Sequence, residues 1–196
     1  MAVEITVITD TSVLINFLVI DQVALLVALA GRRIVVTEHV RNEVTQHYPA
    51  QLARLEQALQ AGLLDEISVT DLAEVALFAQ LTATGLGVGE CSAIAVAANR
   101  GHELAIDDRT ARNRVAQLYP AINILTTELI VLELIRQGVL VVPAADASNS
   151  IGSSITAFGF RSEVSRSGLV PDYVTSFFRW PLSHTSGFWE AWLASK

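Results

Sequence analysis

Apolar residues recur along this chain in two rhythms. Short apolar runs at 5–8, 34–36 and 104–106 read as buried strands, while between them apolar positions return every three or four residues, the mark of helices packed on one face. The pattern predicts a strand over 4–9, helices from about 12 to 30, a strand over 33–36, and helices over 38–47 and 50–61 parted by Tyr48-Pro49. An extended run over 65–69 leads to the N-cap candidates Thr70 and Asp71 and a helix to about 81. The glycine-rich stretch 82–89 then feeds a helix from about 89 to 100 with Gly101 as its C-cap. Strand 103–107, helix 108–118, strand 122–125 and helix 126–137 follow, with an edge strand expected at 139–142. Such alternation predicts an α/β fold, a central parallel sheet flanked by helices.

Composition narrows the picture. With 52% apolar residues among 196, a membrane span has to be considered. The most apolar stretch, Val13 to Ala30, is interrupted by Asn16, Asp21 and Gln22, so it reads as a helical hairpin in a core and no membrane association is expected. No basic leader with a cleavage site opens the sequence, and one cysteine, Cys91, excludes an internal disulfide; both point to the cytoplasm. A net charge of −7 argues against a broad basic face for nucleic acid, yet Arg109, Arg112 and Arg114 form a local cluster suited to phosphate. The texture changes near residue 145. Residues 1–145 read as one domain and 146–196 as a linker, 146–154, followed by an extension that carries all three tryptophans and five of the seven phenylalanines. So aromatic an extension is expected to pack against something.

Four acids stand where burial disfavours them. Asp10 ends the first strand, Asp108 follows the strand at 103–107, Glu43 shares a helix face with Val40 and Val44, and Glu90 lines up with Ala93, Ile94 and Ala97. Carboxylates gathered in a partly dry place repel one another, and a hard divalent cation is the simplest remedy. Each also has a plain structural reading: Asp10 and Asp107 or Asp108 as helix caps, Glu90 as a first-turn acid favoured by the helix dipole, and Glu43 as a side chain reaching solvent. Other chemistries fit less well. The stretch 10–13 resembles a haloacid-dehalogenase motif, but Ser12 stands where a second acid belongs. The stretch 85–90 puts Glu90 where a dinucleotide loop needs glycine, and Lys196, the sole lysine, cannot serve a Walker loop. The four histidines lack zinc-site spacing, and Cys91 reads as a small core filler.

Taken in order, Thr9-Asp10-Thr11-Ser12-Val13-Leu14-Ile15, Glu38 to Val44, Gly87-Val88-Gly89-Glu90-Cys91-Ser92-Ala93-Ile94-Ala95 and Leu104-Ala105-Ile106-Asp107-Asp108-Arg109 resemble the PIN-domain ribonucleases, and among them the VapC-like toxins of toxin-antitoxin modules. The resemblance spans roughly residues 4–143. It implies a three-layer α/β/α fold and a Mg²⁺- or Mn²⁺-dependent endoribonuclease, with a small antitoxin and a second copy of the chain as partners. Asp10, Glu90 and Asp108 would hold the metal, and Glu43 would bind through water or orient the nucleophile. Spacing from Gly101 favours Asp108, with adjacent Asp107 able to replace it as a ligand. Ile106 departs from the family, which often has a small hydroxyl residue there. Arg109, Arg112 and Ser12 would contact RNA, and Thr11 and Asn16 could hydrogen-bond the acids. The alternative is a degenerate PIN domain that binds or scaffolds without cleaving.

Overall fold

The computed structural model describes residues 4–140. In chain order the elements are β1 (Ile5–Thr9), α1 (Thr11–Val19), α2 (Val23–Val27), β2 (Arg32–Thr37), α3 (Glu38–His47), α4 (Pro49–Gln60), β3 (Asp65–Ile67), α5 (Leu72–Thr82), α6 (Val88–Arg100), β4 (Glu103–Ala105), α7 (Arg109–Leu118), β5 (Ile124–Leu125) and α8 (Thr127–Arg136). The expected alternation is present, and the hairpin expected over 12–30 is α1 and α2. Local chemistry sets the boundaries. Thr37, Asp71, Asp108 and Thr126 cap the helices that follow by accepting from backbone N–H groups, and Gly101 closes α6 at φ 66, a left-handed conformation glycine adopts without strain. Pro49 stands in the first turn of α4, where its missing N–H costs nothing.

All strand pairings are parallel, in the order β3-β2-β1-β4-β5. The register places Ile8 beside Val35 and Leu104, and these pack into one apolar cluster with Ile94, Val96 and Ala97 of α6 and Ala111 and Val115 of α7. Val7 and Ile34, one residue out of phase, point to the other side, where right-handed crossovers put the hairpin that returns the chain from β1 to β2. Helices thus cover both faces, and the order of strands reverses between β1 and β4. At such a switch point two neighbouring strands send their helices to opposite faces and leave a crevice at their carboxyl ends. Asp10 and Asp107 stand at those two ends.

Two expectations need adjustment. The strand expected over 103–107 stops at Ala105; Ile106 still donates its N–H to Leu125 O at 2.9 Å, but the two aspartates after it turn their carboxylates to helix N-termini. Val139 and Leu140 do not extend as an edge strand, since both N–H groups bond back to Leu134 O, at 2.9 and 3.2 Å, closing the end of α8. The remainder of that edge strand and the aromatic extension lie outside the described residues. Among the described residues no helix is long and apolar enough to cross a membrane.

Besides Asp10, one other acid is buried among the described residues. Glu74 on α5, 1% exposed, takes a forked pair of hydrogen bonds from Arg100 of α6, Nε to Oε1 at 2.5 Å and Nη2 to Oε2 at 2.9 Å. The guanidinium holds its carboxyl below the usual range. Arg100→Met keeps the aliphatic stem and leaves Glu74 buried without its partner; urea unfolding should show a loss of roughly 2–4 kcal/mol. The double variant Glu74→Met with Arg100→Met should recover most of it.

Candidate active site

Asp10 is the N-cap of α1 and has no exposed surface. Its Oδ1 accepts from Val13 N at 2.9 Å and its Oδ2 from Ser12 Oγ at 2.7 Å. The capping role expected as the plain alternative is therefore real, yet it does not describe the residue fully. Burial drives its carboxyl up to about 7; the Val13 and Ser12 donors pull against that rise, and the charges of Asp107 and Glu90 add to it. Two acids, one from the β4–α7 junction and one from α6, thus act on the acid that follows β1.

The adjacent aspartates after β4 have separate tasks. Asp108 caps α7, its Oδ1 accepting from Ala111 N at 2.8 Å. Asp107 instead faces α1 and α8. Its Oδ1 accepts from Thr127 N at 2.8 Å, and its Oδ2 accepts from Thr127 Oγ1 at 2.6 Å and from Asn16 Nδ2 at 3.0 Å. Ser12 links the two acids, since its Oγ donates to Asp10 and accepts from Asp107 N at 3.4 Å. Of the two, Asp107 is the one whose charge is felt at Asp10 and that Ser12 ties to it, while Asp108 caps α7.

Glu43 and Glu90 come together at the start of α6. Glu43 Oε1 accepts from Gly89 N at 2.8 Å, and its Oε2 accepts a short hydrogen bond from Thr11 Oγ1. This contact needs a glycine: a Cβ at position 89 would lie 2.8 Å from Thr11 Oγ1 and 2.9 Å from the Glu43 carboxyl carbon. Glu90 Oε2 accepts from Gly87 N at 3.0 Å, so the first-turn role foreseen for it is present. Its charge is nonetheless felt by Asp10, and with Glu43 it helps burial push the Cys91 thiol up to about 11, a rise Arg114 opposes.

Tyr48, half-buried at the α3–α4 junction, belongs to the same neighbourhood. Burial raises its hydroxyl pKa, and the charges of Glu43 and Asp10 add to that. In the sequence Tyr48 signalled only the break before Pro49. Thr127 gave no signal either; a hydroxyl at a helix start is common, and nothing in the chain pairs it with a residue twenty positions earlier. Of the arginines on α7, Arg114 has a charge felt at the Cys91 thiol beside Glu90; Arg109 is exposed, and Arg112 buries its Nε without a hydrogen-bond partner.

Among the described residues no three His, Cys, Asp or Glu side chains stand close enough to hold an ion as a ready cage. The donor chemistry still suits one. The buried Asp10 carboxylate has only uncharged donors on both oxygens and two acids repelling it, and every candidate donor is oxygen, as Mg²⁺ and Mn²⁺ prefer.

A protein-family model described as a PIN domain matches residues 6–165, well over half the chain and past the last described residue. No curated protein matches. Among solved structures, a chain from the crystal structure of VapBC2 from Rickettsia felis bound to a DNA fragment from their promoter is similar at 13% identity and a TM-score of 0.45, the match covering 62% of this chain and 98% of that one.

The state of Asp10 makes metal-free stability depend on pH in an unusual direction. Its folded pKa, about 7, lies above the ordinary 3.8, so between those values the folded protein keeps a proton that the unfolded chain releases. Stability should fall as pH rises through that window, by at most about 4 kcal/mol from this one group. Asp10→Asn retains an acceptor for Val13 N–H and removes the charge. The variant should melt several degrees above the wild type at pH 8 in the presence of a chelator, and most of that gap should close by pH 4.5. Equal melting temperatures at both pH values would contradict the account.

Proposed function

The chain belongs to the PIN-domain family, and from that premise we propose that it is a divalent-metal-dependent endoribonuclease whose acids are Asp10, Glu90 and Asp107, with Glu43 and Asp108 in supporting positions. Asp10 is the observation that carries the reading. A carboxylate with no exposed surface and a pKa near 7, repelled by two further acids, is poorly suited to a purely structural task; Asn or Ser would cap α1 as well.

Asp10 and Asp107 would hold Mg²⁺ or Mn²⁺, with Glu90 contributing its charge from α6. When bound, the metal supplies Lewis-acid polarisation of a phosphodiester and a water made acidic enough to attack at neutral pH. The residues supply the rest. Ser12 and the Val13 N–H keep Asp10 oriented, and Thr11 and Gly89 hold Glu43 where it can accept a proton or orient water. Arg114, with Arg109 and Arg112 on the same helix, offers positive charge for the RNA backbone.

The motif order adds a proposed biological role as the toxin of a toxin-antitoxin pair, a cytoplasmic protein held in check by a small antitoxin and working as a homodimer. Expression alone should arrest growth of a bacterial host, and co-expression of a short neighbouring reading frame should relieve the arrest. The second reading is a PIN domain that binds without cleaving. It has its own observation: Asp108, Glu90 and Asp10 all serve as caps or first-turn acceptors, and among the described residues no three acids close into a ready cage.

Metal and RNA separate the two. Purified full-length protein should gain melting temperature with rising Mn²⁺ or Mg²⁺ and cleave single-stranded RNA only when the metal is present. Neither effect in chelated and metal-supplied samples run together would leave only the binding module. Within the nuclease reading, Asp107→Asn should lower kcat by at least a hundredfold, on the order expected for losing a catalytic electrostatic group. Asp108→Asn should keep most activity and stability, because Asn caps a helix as well as Asp.

A further inference from the structure

The geometry points to Thr127, assisted by Asn16, as a positioning residue that fixes the pose of the Asp107 carboxylate; the inference rests on the nuclease reading above. Three separate parts of the chain meet at this point: α1 through Asn16, the end of β4 through Asp107, and the first residue of α8 through Thr127. Asn16 Nδ2 donates both to Asp107 Oδ2, at 3.0 Å, and to Thr127 Oγ1, at 3.1 Å. Thr127 Oγ1 sits 2.6 Å from the same Oδ2, and its backbone N–H reaches Oδ1 at 2.8 Å.

The hydrogen-bond inventory gives this ring a single direction. A hydroxyl has one proton, and because Thr127 Oγ1 already accepts from the Asn16 amide, that proton goes to Asp107. Asn16 and Thr127 are then both donors to an acceptor-only group, and the two carboxylate oxygens are gripped from different sides. Thr127 N–H is one of the free amides at a helix N-terminus, which favours negative charge in front of it. Three donors fill three of the roughly four acceptor sites of an ionised carboxylate, so Asp107 cannot rotate without breaking at least two hydrogen bonds. Thr127 is 7% exposed, so little water competes at its hydroxyl, while Asn16 and Asp107 are partly exposed.

A carboxylate that binds metal is effective to the extent that its orientation is set in advance, and outer partners of that kind commonly change metal affinity or activity by about 10- to 100-fold. Two plain alternatives exist for these contacts. Thr127 could matter only for starting α8, and Asn16 only for joining α1 to α8. Both would make the contacts matter for stability and leave metal binding untouched.

The discriminating variant is Thr127→Val in the full-length protein, which keeps the backbone N–H and the side-chain shape while removing the hydroxyl. Mn²⁺ binding to RNA-free protein by titration calorimetry should weaken about 10- to 100-fold, and kcat for a labelled single-stranded RNA should fall with KM little changed. Thr127→Ser should restore both. Should Thr127→Val fail to fold, Asn16→Ala removes the other side-chain donor and must weaken Mn²⁺ binding in the same direction. A folded Thr127→Val, or in its absence a folded Asn16→Ala, that binds Mn²⁺ with wild-type affinity overturns the positioning role and leaves the nuclease reading intact. Wild-type protein that neither binds Mn²⁺ nor cleaves RNA sinks the nuclease reading and takes this inference with it.

Discussion

Burying the Asp10 carboxylate at the carboxyl end of β1 raises the free energy of its charged form, and the surrounding chain answers with hydrogen bonds from Ser12 and Val13 in place of an ion pair. The contrast with Glu74 is instructive. There burial is matched by the forked guanidinium of Arg100, so the charge is settled within the fold. At Asp10 none of the described residues supplies such a cation, and Asp107 and Glu90 increase the repulsion. The same chain therefore treats one buried acid as a tie between helices and leaves another electrostatically unsatisfied. Such a site favours a cation arriving from solvent.

Sheet topology is what gathers these groups. Strand order reverses between β1 and β4, so the two residues leaving those strands are neighbours although nearly a hundred positions separate them; Asp10 N still bonds Ala105 O at 2.9 Å. Helix starts then arrange the remaining parts. The start of α1 holds Asp10, that of α6 presents Gly89 N–H to Glu43 and positions Glu90, and that of α8 grips Asp107. Helix N-termini supply unpaired N–H groups and a favourable dipole, so acids at a sheet edge find partners there without lysine or arginine. This accounts for how a chain of net charge −7 with one lysine can hold several acids close together.

Much of this was legible in the sequence, and for identifiable reasons. Periodicity reports which side of an element is buried, so the alternation of strands and helices, the hairpin over 12–30 and the break at Pro49 could be read locally; Gly101 and the capping residues could too, because capping depends on a few neighbouring atoms. Asp10, Glu43 and Glu90 stood out as acids in apolar company, and their order along the chain carried the resemblance to PIN domains. Which of Asp107 and Asp108 has its charge felt at Asp10 was not legible. Two adjacent, identical residues differ only in which helix start each faces, and that follows from where α7 and α8 leave the sheet. Thr127, Tyr48 and the need for glycine at 89 were hidden for the same reason: each matters through a partner distant in sequence, and hydrogen bonds such as those from Thr127 to Asp107 or Gly89 to Glu43 exist only once β1, β4 and their helices have been assembled around one crevice.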